Sequence, residues 1–120
     1  MSKELNRKKG NTGEDIACRE LIKKGYEIIE RNYRNRGGEI DIIAKKDGIT
    51  VFVEVKLRFS TKNGMPSEAV DEKKQTKIIE TAKSFIAEND IVDMDFRFDV
   101  VEILVLDKIY IRHLENAFWE

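Results

Sequence analysis

Three side chains near the middle of the chain, Asp41, Glu54 and Lys56, have the types and spacing for phosphate chemistry. Two carboxylates that share a site can hold a divalent cation, because Mg²⁺ is commonly bound by one or two carboxylates, with water and phosphate oxygens completing its octahedron. A lysine beside them can orient a bound water and stabilise the negative charge that develops on phosphate. The same residues admit a plainer reading, in which Lys56 pairs with Glu39 or Glu54 on a solvated strand face. Spacing alone does not decide: Glu72-Lys73-Lys74 also fits Glu-x-Lys, yet it lies in a helical pattern with no facing carboxylate.

Position is what gives the triplet meaning. Two β-branched runs, Ile40 to Ala44 and Ile49 to Leu57, flank Asp47-Gly48, and Asp-Gly between such runs predicts a tight hairpin because both turn residues need φ > 0. With those two residues in the turn, Lys46 faces Ile49, Ala44 faces Val51, and continued pairing sets Asp41 directly opposite Glu54. Period-two alternation then puts Glu39, Asp41, Ile43, Phe52, Glu54 and Lys56 on one face. Ile40, Ile42, Ala44, Val51, Val53, Val55 and Leu57 form the other, an apolar surface that must be buried. Like charges directly opposite in a sheet repel, so a cation belongs between the two acids: either Lys56 or a metal.

Asp41 followed across a hairpin by Glu54-Val55-Lys56 resembles the active-site pattern of the PD-(D/E)XK, or restriction-endonuclease-like, nuclease superfamily. More narrowly, Gly37-Gly38-Glu39-Ile40-Asp41-Ile42-Ile43 with Val51-Phe52-Val53-Glu54-Val55-Lys56 resembles the bacterial YraN-like family of predicted endonucleases, itself similar to archaeal Holliday-junction resolvases. The resemblance runs from Gly13 to Phe118. It implies a metal-dependent endonuclease acting on DNA, with Asp41 and Glu54 holding Mg²⁺ or Mn²⁺, the Val55 carbonyl as a further ligand, and Lys56 orienting the attacking water. Gly13-Glu14-x-x-Ala17 resembles the family's first motif, in which the Glu completes the acidic cluster, and helix phase also sets Glu14 on the buried stripe with Ala17 and Cys18. Lys74, Gln75 and Lys77 resemble the basic or amide residues that approach the site from the second helix. Branched or junction DNA, and a homodimer that cuts two strands, enter only through the likeness to resolvases. Two other classes remain open: a non-catalytic nucleic-acid-binding module, and a protein-interaction subunit of a DNA-processing assembly.

Composition bounds these readings. The chain has 120 residues, 41% of them hydrophobic and 38% charged, which describes one globular domain with a heavily charged surface. No apolar run reaches the length of a membrane span and Met1-Ser2-Lys3-Glu4 opens no secretory segment, so a cytoplasmic location without membrane contact is expected. One cysteine, Cys18, and one histidine, His113, exclude an intrachain disulfide and zinc sites of the Cys/His type. Net charge is −1, but residues 1–77 carry 18 Lys/Arg against 13 Asp/Glu and residues 78–120 carry 4 against 10. A basic face in the first part suits a phosphate backbone better than the total suggests. Arg34, Arg36, Arg58 and Lys62 flank the hairpin and join Lys74, Gln75 and Lys77 as candidate contacts.

The remaining elements follow in order. Residues 1–11 read as a flexible basic arm ahead of a single nuclease-like domain, 12–120. A helix is predicted from a Thr12 cap, with Ala17, Cys18, Leu21 and Ile22 facing inward and Gly25 closing it. Tyr26 to Tyr33 reads as a strand, then comes the hairpin, then a loop from Arg58 to Pro66 that borders the site. Ser67 or Asp71 caps a second helix ending near Asn89. Phe96 to Leu106 and Ile109 to His113 form the last hairpin around Asp107-Lys108. Asp99 is read as a structural partner for an arginine, and the tail aromatics Phe118 and Trp119 as packing or interface groups. The predicted fold is α/β and restriction-endonuclease-like: a central mixed five-stranded sheet with a helix packed on either side, in the order αβββαββ.

Overall fold

In the computed structural model, Asp47 and Gly48 take φ of +51° and +78°, the left-handed pair that a two-residue hairpin turn demands. They join β2 (Gly38–Lys46) to β3 (Ile49–Arg58), with Lys46 opposite Ile49, Ala44 opposite Val51 and Ile42 opposite Val53. The other elements are α1 (Lys3–Lys23), β1 (Glu27–Asn35), α2 (Glu72–Glu88), β4 (Asp95–Val105) and β5 (Ile109–Phe118). The structure describes residues 3–59, 70–89 and 95–119, with side chains from residue 13 onward. Lys62, Ser67 and most of the loop expected to border the site lie outside the described residues.

The five strands form one sheet in the order β1-β2-β3-β4-β5. Neighbours are antiparallel except β3 and β4, which run parallel, so α2 lies on the crossover that parallel pairing requires. Each face of the sheet is covered by one helix, as the predicted α/β fold has it. Against α1 lie Ala17, Cys18, Leu21, Tyr26, Ile42, Ala44, Val51, Val53, Val101 and Ile103. Beneath α2 lie Tyr33, Ile40, Ile43, Phe52, Val100, Phe98 and Phe118 with Ile78, Ile79, Ala82 and Phe85.

Several local expectations are corrected. α1 begins at Lys3, not at a Thr12 cap; residues 3–9 are mostly straight-chain helix formers without proline, so Thr12 falls inside the helix. The helix ends as expected: Gly25 has φ +93°, Gly25 N–H donates to the Ile22 carbonyl and Tyr26 N–H to that of Leu21, which is the Schellman arrangement. Ile22 is exposed, unlike its neighbours on the stripe. Ile40 packs beneath α2 although Ile42 and Ala44 pack beneath α1. Strand alternation is therefore broken at Asp41, level with the left-handed Asn32 of β1 (φ +54°). β5 extends to Phe118, whose ring stacks on Phe98 at 5.1 Å, while Trp119 stays exposed.

Candidate active site

The β2/β3 pairing stops at Ile42 and Val53, one step short of the expected Asp41–Glu54 pair. Beyond it the Asp41 side chain takes over, Oδ2 accepting the Val55 N–H at 2.8 Å. Asp41 is thus held against the residue that follows Glu54. Glu54 is buried, and two ammonium groups reach its Oε1: Lys74 Nζ at 2.7 Å and Lys56 Nζ at 3.8 Å.

Burial raises the Asp41 pKa to about 7, and the nearby Glu54 charge adds to the rise, against the lowering effect of the Val55 hydrogen bond. A carboxyl so destabilised as an anion is poised to accept a cation. Lys56 moves the other way: burial lowers its pKa, and the adjacent Lys74 ammonium lowers it further. For Lys74, burial works downward, but the hydrogen bond and charge of Glu54 outweigh it and the pKa rises. Lys56 is therefore the readier proton acceptor of the two.

Glu14 sits in α1 with one oxygen, Oε1, buried and without a hydrogen-bond partner. Burial raises its pKa, opposed by the Arg31 charge, and its own charge contributes to the rise at Asp41. It does not close a three-acid cluster: among the described residues no three acidic, histidine or cysteine side chains converge as one ligand set. Two carboxylates with an adjacent backbone carbonyl suit Mg²⁺ or Mn²⁺, which keep several waters, better than a closed all-protein cage does.

α2 reaches the site because its cap fixes its phase. Asp71, at φ −72° and ψ 167°, accepts the Lys74 N–H at 2.8 Å, and buried Ile78 one turn on points the same side at the sheet. Lys74, expected by resemblance to approach the site and to contact nucleic acid, reaches Glu54 itself. The helix also comes close to the turn before β2. Gly38 has φ +152°, and a β-carbon there would stand 3.2 Å from Thr81 Oγ1. Lys73, Lys74 and Lys77 line a cleft of about 430 Å³ with Gly38, Glu39, Asp71 and Ile78.

The other candidate contacts scatter. Arg34 is exposed and paired with Glu39 at 2.9 Å, so Glu39 is not the partner of Lys56. Arg36 is exposed in the β1–β2 turn. Arg58 lies against Glu102 at 2.9 Å, both side chains nearly buried, which makes it a link between β3 and β4 rather than an open phosphate contact. Gln75 donates to the Val70 carbonyl and lines a separate groove beside Trp119. Asp99 is the structural partner it was read to be: fully buried, it takes Arg97 Nε at 2.8 Å, His113 Nε2 at 2.7 Å and the Asn116 N–H at 2.9 Å. Burial opposes its ionisation, but those hydrogen bonds prevail and lower its pKa.

A family model described as "Uncharacterised protein family UPF0102" matches residues 13–103, a span that includes Glu14, Asp41, Glu54, Lys56 and Lys74. The chain belongs to the UPF0102 family. It is 48% identical over 118 residues to a UPF0102 protein of Alkaliphilus metalliredigens, covering 98% of this chain and all of that one. A UPF0102 protein of Clostridioides difficile is 47% identical over 113 residues (94% and 98% of the two chains), and one of Sulfurihydrogenibium is 50% identical over 110 residues (92% and 93%). No helix among the described residues is long and apolar enough to cross a membrane.

Proposed function

We propose that this UPF0102 protein is a divalent-metal-dependent phosphodiesterase acting on nucleic acid, with DNA the first substrate to test. The observation that carries this reading is the desolvated pair, Asp41 with its pKa raised to about 7 and buried Glu54, met by two lysines. Desolvating two mutually repelling carboxylates costs stability, and a cation-dependent function explains why such a pair occupies two adjacent strands of the sheet, Asp41 in β2 and Glu54 in β3. The likeness of Asp41 and Glu54-Val55-Lys56 to the PD-(D/E)XK pattern, and of the wider sequence to YraN-like predicted endonucleases, supports the same reading.

Asp41 and Glu54 would hold Mg²⁺ or Mn²⁺, assisted by the Val55 carbonyl and, through water, by Glu14. Such an ion lowers the pKa of a bound water and offsets charge on the phosphate oxygens. Lys56, its pKa lowered by burial and by Lys74, would orient that water and take up its proton. The Val55 N–H, donating to Asp41 Oδ2, would help fix the pose of that carboxyl. Lys73 and Lys77 would receive flanking phosphates in the cleft beside α2. Branched DNA and a paired subunit belong to the proposal only through the resolvase likeness.

A second reading, a nucleic-acid-binding module without turnover, is favoured by one observation: the Glu54 carboxylate is already neutralised by Lys74. Incubating branched, single-stranded and duplex DNA with Mn²⁺ or Mg²⁺ and either wild type or Glu54→Ala separates the two. Cleavage by wild type that is lost in the variant supports the phosphodiesterase; binding without cleavage by either protein refutes it.

A further inference from the structure

We propose that Lys74 is a built-in counter-cation that occupies Glu54 in the resting protein and passes to a substrate phosphate when the metal arrives. The inference rests on the phosphodiesterase reading and adds to it an exchange that couples metal loading to substrate binding.

The contacts are unequal in an informative way. Glu54 Oε1 has two ammonium groups against it, at 2.7 and 3.8 Å, whereas Asp41 takes its hydrogen bond from the Val55 backbone. A divalent ion held by the Glu54 carboxylate would bring a double positive charge up against the two ammonium groups already there. At contact distance in a partly desolvated site that repulsion is large, and one lysine must withdraw.

Lys74 is the one free to do so. Its side chain is 44% exposed against 25% for Lys56. Lys56 sits in β3 with its backbone in register with Glu102 of β4, while Lys74 lies in the first turn of α2 and borders the 430 Å³ cleft. In that cleft Lys73 and Lys77 supply positive charge, so an ammonium released from Glu54 has a phosphate-binding surface to join rather than bulk water. Metal and DNA then bind cooperatively, each favouring the state in which Lys74 has left Glu54.

The test is calorimetric titration of Mn²⁺ alone into metal-free wild type, Lys74→Met, Lys74→Arg and Lys77→Met. Lys74→Met should bind Mn²⁺ roughly five- to tenfold more tightly than wild type, the effect of losing a half-exposed ion pair as competitor. Lys74→Arg keeps the competing charge and should gain nothing; Lys77→Met loses the same charge from the same cleft without touching Glu54 and should change affinity less than about twofold. In Ca²⁺, the metal's strengthening of short-duplex binding should shrink in Lys74→Met. Unchanged or weaker Mn²⁺ binding by Lys74→Met, or an equal gain in Lys77→Met, overturns the exchange while leaving the metal site intact. Absence of Mn²⁺ binding in both wild type and Lys74→Met overturns the exchange and the phosphodiesterase reading together.

Discussion

Asp41→Asn should make the metal-free protein more stable, not less, at neutral and alkaline pH. Folding raises the Asp41 pKa from 3.8 to about 7, burial and the Glu54 charge being the chief causes. The folded state therefore holds a proton that the unfolded state has lost, and stability falls as pH climbs from about 4 to about 7. At about 1.4 kcal/mol per unit, the penalty above pH 7 is of order 4 kcal/mol. Asparagine removes the charge, still accepts the Val55 N–H through its carbonyl, and offers its amide hydrogens to the neighbouring carboxylates. The gain should thus be about 2–4 kcal/mol at pH 8, on the order of 10 °C in Tm, and close to zero at pH 4, below the unfolded pKa. Urea unfolding in EDTA at pH 4, 6 and 8 measures it. Adding Mn²⁺ should reverse the order, stabilising wild type by mass action and leaving Asp41→Asn unchanged. A variant less stable than wild type at pH 8 in EDTA, or a gain independent of pH, would refute the electrostatic account of the pair.

Three further outcomes follow from the same geometry. Lys56→Met should retain Mn²⁺ binding while cleavage falls by about 10²–10⁴, the range for loss of a proton-handling group; comparing calorimetry with single-turnover cleavage tests this. Gly38→Ala should cost about 1–3 kcal/mol, because φ +152° is strained for alanine and its methyl would press on Thr81 at 3.2 Å, and cleavage should fall with it as α2 is pushed from the hairpin. Asp99→Ala should cost about 3–5 kcal/mol by stranding Arg97 and His113, yet Mn²⁺ affinity of the protein that still folds should not change, since Asp99 lies on the α1 side of the sheet; thermal melts paired with titration separate the two effects.

The hairpin was legible because its determinants are local: Asp47-Gly48 sets the turn, the turn sets the register, and Lys46–Ile49 through Ile42–Val53 pair as counted. The same local logic read the Gly25 stop and the inward side of α2 from Ile78 to Phe85. It failed where tertiary partners decide. The break in alternation at Asp41 depends on Tyr33 and Ile40 packing beneath α2, which no window of the hairpin reveals. Arg58 looked like a phosphate ligand because Glu102 is far along the chain, and only the parallel β3/β4 pairing, with Lys56 level with Glu102, brings that acid within reach. Lys74 was recognised as a site residue, but its grip on Glu54 needs both the Asp71 cap and the crossover between β3 and β4.

The central claim is that Asp41 and Glu54 share a divalent ion. Crystals of the wild-type protein grown with Mn²⁺ and measured near the manganese absorption edge test it most directly. One or two anomalous peaks coordinated by carboxylate oxygens of both Asp41 and Glu54, lost in Asp41→Asn, are predicted; saturating Mn²⁺ with no peak there, and Lys74 still on Glu54, would contradict it.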